Sequence, residues 1–148
     1  MTAAAAFVPT GPIDHVAVAV HDLDEACARY GRLLGVEAVG RETVGAVDLA
    51  FLEVPGSTVI ELIAPATPDS PVAGFLQRRG EGLHHLCFRV PDVDAALAQA
   101  VANGLPVVDI CGRPGAAGSR IGFLHPDAFG GVLVELKQKP QRDSSTIA

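Results

Sequence analysis

The sequence has no tryptophan, one tyrosine and one methionine among 148 residues. Hydrophobic residues make up 49% of it, but alanine and valine dominate, so a core has to be assembled largely from small side chains. Basic residues are also scarce: 11 Lys and Arg face 17 Asp and Glu, a net charge of -6 with no basic stripe. That excludes nucleic acid as a default partner, because phosphate backbones are bound by clustered cations. The cysteines, Cys27, Cys87 and Cys111, are odd in number and lack metal-knuckle spacing, which suits reduced thiols in a cytosolic protein. No apolar run approaches the roughly 20 residues that cross a bilayer. The opening "MTAAAAFVPTGP" lacks a basic n-region and is interrupted by Pro9 and Pro12. The closing "KPQRDSSTIA" reads as a polar tail. The expectation is a soluble, cytoplasmic chain with neither a membrane nor a nucleic acid as partner. Its length suits one domain, or two small modules sharing a core.

What is present is a repeat. "IDHVAVAVHDLDEACARYGRLLG" aligns with "LHHLCFRVPDVDAALAQAVANG", placing His15 on His85, Val20 on Val90, Asp22 on Asp92, Asp24 on Asp94 and Ala26 on Ala96. Each copy reads as a strand, a turn and a helix. Asp22 and Asp92 stand at N-cap positions, and Gly35 and Gly104 close the helices. Strand-like pieces follow each helix: "AVDLAFLEV" and "STVIELIAP" in the first copy, "RIGFLHP" and "GGVLVELKQ" in the second. The expected fold class is α+β. Two tandem βαβββ modules, about 13–66 and 82–137, are joined by a helix at about 69–79, with Asp69 and Ser70 as its turn and cap. Residues 1–12 form an extension and 138–148 a tail.

Side chains alternate along a strand. His15 then shares a face with Ala17 and Ala19, and His85 with Cys87 and Arg89, while the bulky Val16, Val18 and Val20 turn toward the helix. His84 is expected on that helix side or at the strand's entrance. The last strand of each module carries a carboxylate amid apolar neighbours, Glu61 in "VIELI" and Glu135 in "VLVEL". A buried carboxylate needs a partner. Two histidines and two glutamates at duplicated positions make a mixed N/O donor set for one divalent ion. Co, Mn, Ni or Zn suits it, and Mg suits it less because of the imidazoles. Octahedral binding would leave two positions open.

The pieces "IDHVAVAVHDLDEA", "IELIAPATPDSPVAGFL", "RGEGLHHLCFRV" and "GSRIGFLHPDAFGGVLVEL" resemble the methylmalonyl-CoA epimerase family of the vicinal oxygen chelate superfamily, from about Ile13 to Lys137. The resemblance implies a barrel-like curved sheet around a metal cleft, with His15, Glu61, His85 and Glu135 as ligands, an acyl-CoA substrate and a homodimer. The implied reaction removes a proton from the carbon between a thioester and a carboxylate and returns it to the other face. Glu135 would be ligand and one base. For the second base, ungapped alignment of "AFL" puts Leu49 where some family members carry an acid. Asp48 is the candidate, needing a bulge to face the site, and a water at the metal or Glu53 are substitutes.

Further expectations attach to the loop "CGRPGAAGSR". It could close over substrate, with Arg113, Ser119 and Arg120 meeting the acyl-CoA. His125 reads as structural, His21 as a surface residue and Cys87 as a small filler. Three alternatives stay open: a glyoxalase I type lyase acting on a hemithioacetal, another acyl-CoA epimerase, and a metal-free small-molecule-binding resistance protein.

Overall fold

A computed structural model describes residue 8 and residues 10–141. Most of the expected N-terminal extension, and the tail from residue 142 onward, lie outside the described residues.

The repeat folds as two copies of one local design. Strand β1 (Ile13–Ala19) leads into helix α1 (Leu23–Leu34), whose first turn is capped by Asp22 accepting from the Glu25 N–H at 2.9 Å. Gly35 ends α1 in the left-handed region at φ 67°, a conformation that suits glycine because it has no Cβ to clash. Strand β5 (Gly82–Arg89) leads in the same way into helix α3 (Val93–Ala102). There Asp92 accepts from the Ala95 N–H at 3.0 Å, and the chain leaves through Asn103 and a left-handed Gly104. The first module continues with β2 (Ala38–Val44), β3 (Val47–Glu53) and β4 (Val59–Pro65). Helix α2 (Pro71–Arg79) follows, capped by Ser70. The second module continues with a two-residue β6 (Arg113–Pro114), then β7 (Arg120–Leu124) and β8 (Val134–Gln138).

The eight strands of the described residues join one curled sheet in the order β2-β3-β4-β1-β5-β8-β7-β6. The order reads the same from either edge once the modules are exchanged. At the centre β1 and β5 run antiparallel, and each is parallel to the last strand of its own module. One face packs against α1 through Val20, Ala26, Leu52 and Leu62, and against α3 through Val93, Leu97, Leu124 and Leu136. The other face carries His15, Ala17 and Ala19. Part of this second face, expected to stay open, is covered by α2, where Val72 and Leu76 pack on Ala17, Ala19, Leu49 and Ile63.

Two irregularities break the expected alternation in the central β1–β5 pair. The β1–β5 register slips between Ile13 and His15, and again opposite Ala17 and Val18, so Asp14 and His84 are each an extra residue on their strand. An extra residue bends its strand and re-aims neighbouring side chains. His84 is accordingly not on the α3 side. It packs against Phe75 of α2, 4.7 Å between ring centroids, with its Nδ1 2.8 Å from Nδ1 of His85.

Candidate metal centre

The four duplicated donors meet. His15 Nε2 lies 3.2 Å from His85 Nε2, 3.1 Å from Glu135 Oε2 and 3.4 Å from Glu61 Oε2, and His85 Nε2 lies 2.7 Å from Glu135 Oε2. All four side chains are buried. Two cis donors at about 2.1 Å from one ion stand about 3 Å apart, so this spacing fits a single divalent cation. Mixed imidazole and carboxylate donors suit such an ion.

The electrostatics are those of a cation site. Burial opposes a charge on His15, but Asp14, Cys87, Glu135 and Glu61 outweigh it and raise its pKa to about 12. Burial likewise opposes a charge on Glu135, and hydrogen bonds from both histidines overcome it, lowering its pKa to about 2. For Glu61 burial dominates and the pKa is raised. A metal ion would take over the charge that the His15 proton otherwise supplies.

Behind each histidine stands the residue that precedes it. Asp14 Oδ2 accepts from His15 Nδ1 at 2.8 Å and from Lys137 Nζ at 3.1 Å, while its Oδ1 accepts from Arg89 Nε at 2.8 Å. Burial opposes ionisation of Asp14, yet these three donors hold it well below the usual carboxylate range. Burial and the neighbouring His85 push His84 the other way, down to about 4, so its imidazole is neutral. Sequence reasoning missed Asp14, Arg89 and Lys137. The one signal for Asp14 and His84 was a polar residue directly before each duplicated histidine.

A cleft of about 890 Å³ opens onto this centre, with His15, Glu61, Phe51, Glu53, Arg89 and Lys137 among its lining residues. Ser119 lines it too, buried, with its hydroxyl donating to the Ala116 carbonyl at 2.6 Å. The turn at Ala116–Gly118 crosses to the first module, where the Ala117 N–H donates to Glu42 Oε2 at 2.9 Å. The other expected site residues stand elsewhere. The β3–β4 register has no slip, so Leu49 faces the inner core while Asp48 turns away and bonds the Thr43 hydroxyl at 2.6 Å. Arg120 is bound by Asp94 of α3 at 2.7 and 3.0 Å. Arg113 pairs with Asp109 at 3.2 Å and covers the Phe123 ring. His125 caps the turn at Pro126–Phe129. Cys87 is fully buried, and burial raises its thiol to about 12, as befits a filler.

Residues 14–123 match the model of the Glyoxalase/Bleomycin resistance protein/Dioxygenase superfamily. The chain belongs to this superfamily. Within it the chain is 41% identical over 132 residues to the mitochondrial methylmalonyl-CoA epimerase of Homo sapiens, covering 86% of this chain and 74% of that one. It is 42% identical over 133 residues to the ethylmalonyl-CoA/methylmalonyl-CoA epimerase of Cereibacter sphaeroides, covering 86% and 98%. Among solved structures, methylmalonyl-CoA epimerase from Mycobacterium tuberculosis superposes with a TM-score of 0.84 at 37% identity, over 98% of this chain and 97% of that chain. A variant of the Streptomyces coelicolor enzyme in complex with 2-nitronate-propionyl-CoA gives 0.84 at 36%, over 92% and 99%. Enzymes of this superfamily use a divalent metal, and among the described residues His15, Glu61 and His85 form one group that could hold one, with Asp14, His15 and Cys87 as a second.

Proposed function

We propose that this protein is a methylmalonyl-CoA epimerase, an isomerase that interconverts the (2R) and (2S) forms of its acyl-CoA substrate. The observation that carries the reading is that Glu61, His85 and Glu135 all come within 3.4 Å of His15 Nε2, with His15 and Glu61 lining a cleft. Relatives named for this activity support it.

These four residues would hold a divalent cation, Co, Mn, Ni or Zn in preference to Mg, and it would supply positive charge beside the thioester oxygen, where negative charge develops. Glu135, ionised at rest, takes the proton from the carbon between the thioester and the carboxylate, and a protonated group on the opposite face gives one back. Phe51 on the cleft wall helps exclude water, and Ser119 borders the acyl-CoA. Inversion needs a second group on the opposite face. Besides the fully engaged Asp14, the carboxylates lining the cleft among the described residues are Glu61 and Glu53. One of these serves that face in place of the outward-turned Asp48.

The test is solvent deuterium exchange into (2R)- and (2S)-methylmalonyl-CoA, with metal-stripped and metal-reloaded protein. Metal-dependent exchange with interconversion of the epimers supports the assignment. Failure of metal-loaded protein to exchange either epimer overturns it.

A further inference from the structure

We propose that Asp14 is a positioning residue of the metal centre, fixing the His15 imidazole with its proton on Nδ1 and its Nε2 turned toward the other donors. The inference rests on the metal-site reading above and deepens it.

Three observations carry it. The first is the bulge at Asp14, which brings this side chain to the same side as His15, although regular alternation would turn it to the α1 face. The second is the bonding of Asp14 itself. Its carboxylate is buried, accepts from His15 Nδ1 at 2.8 Å, and is anchored by Arg89 and Lys137, so it cannot swing away from the ring. The third is the repetition. The second module has the same slip at His84, which also meets Nδ1 of its following histidine at 2.8 Å. The fold thus builds one device twice, a bulge that backs the ligand histidine with the residue before it.

The two copies differ in chemistry. A carboxylate accepting from Nδ1–H makes the ring a stronger donor at Nε2 than a neutral imidazole does, and it fixes the tautomer. His15 is therefore the stronger donor of the pair, although sequence duplication makes the two histidines look equivalent.

The experiment uses Zn alone as the probe on the full chain. Zn affinity is measured by competition with a chromophoric chelator for the wild type, Asp14→Asn and His84→Asn, with circular dichroism to confirm the fold. The His15 ring nitrogens are read by 15N NMR in the Zn-loaded wild type. Expected are one Zn per chain, Nε2 coordination of His15 with a protonated Nδ1, and a loss of about 10- to 100-fold in Zn affinity for Asp14→Asn. His84→Asn should lose less. Coordination of His15 through Nδ1, or unchanged Zn affinity in folded Asp14→Asn, overturns the inference while leaving the metal site intact. Absence of stoichiometric Zn binding in the wild type overturns both. If Asp14→Asn does not fold, the wild-type nitrogen spectrum decides alone.

Discussion

The Nε2 atoms of His15 and His85 stand 3.2 Å apart across 70 residues of sequence, with their rings inclined at 74°. Neighbouring antiparallel strands make this possible. In the β1–β5 register His15 lies opposite Cys87, and His85 lies opposite Ala17. Each ring therefore faces a small side chain, which leaves room for both to turn toward one point. Glu61 and Glu135 arrive from the strands flanking this central pair. The centre is thus a product of the module junction, and neither module contains it alone.

Removing one donor should separate metal binding from proton transfer. His85→Ala should lose tight metal binding and with it the exchange reaction. Glu135→Gln keeps an oxygen donor but no base, so exchange should fall by about 10²- to 10⁴-fold even where metal is retained. Metal content by atomic emission, measured beside the exchange rate, checks the distinction. Equal exchange rates in Glu135→Gln and wild type would remove Glu135 from the chemistry.

The small residues facing the rings should be unequal in their tolerance. Cys87→Ala should keep one metal per chain, because the thiol is a filler held protonated by burial. Ala17→Leu inserts bulk at a fully buried position beside His85 and should cost about 1–3 kcal/mol of stability. Chemical denaturation of the metal-free proteins measures the cost. Loss of metal from Cys87→Ala would instead favour the neighbouring set of Asp14, His15 and Cys87 as the ligands.

The repeat made the fold class and the four clustered donors legible, because two copies of a strand–turn–helix pattern specify equivalent positions without any tertiary information. Asp14 and His84 were not legible in the same way. Their placement depends on one extra residue in each strand, and a slip of one residue exchanges the faces of everything beside it. Arg120 illustrates a different limit. A Gly-rich loop with two arginines suggests anion binding, but Asp94, 26 positions earlier, claims one of them. Only the packing of α3 on β7 brings that pair together. The coverage of the inner face by α2 was equally hidden, since a linking helix does not announce which face of the sheet it will cover.

Asp48→Asn and Arg120→Gln should leave exchange and inversion within about twofold of wild type, since surface substitutions away from a site have small effects. Asp48 faces away from the centre and Arg120 is tied to the outer face. Glu61→Gln and Glu53→Gln, assayed for inversion and for exchange without inversion, locate the second proton donor. A variant that still exchanges the proton of one epimer but no longer inverts it marks the residue serving the opposite face. A large loss in Asp48→Asn would require β3 to shift its register during turnover.

The pH dependence of stability in the metal-free protein follows from Glu135 and His15. Glu135 is lowered from its ordinary value of 4.5 to about 2, so its contribution is present above 4.5 and is lost as pH falls toward 2. His15 is raised from 6.5 to about 12, so its contribution is complete below 6.5 and is lost as pH rises toward 12. Between these limits the unfolded chain releases the His15 proton while the folded protein keeps it, and stability declines with rising pH. Metal binding must expel that same proton, so metal affinity should rise over the range in which metal-free stability falls. Thermal melts at about pH 5.5 and about pH 8, with and without Zn, should show a larger Zn-induced increase in Tm at the higher pH. Calorimetric titration in two buffers of different ionisation enthalpy should count about one proton released per Zn near neutrality. Zn binding that releases no proton there would mean that His15 is already neutral in the metal-free protein and that the carboxylates around it do not hold its charge.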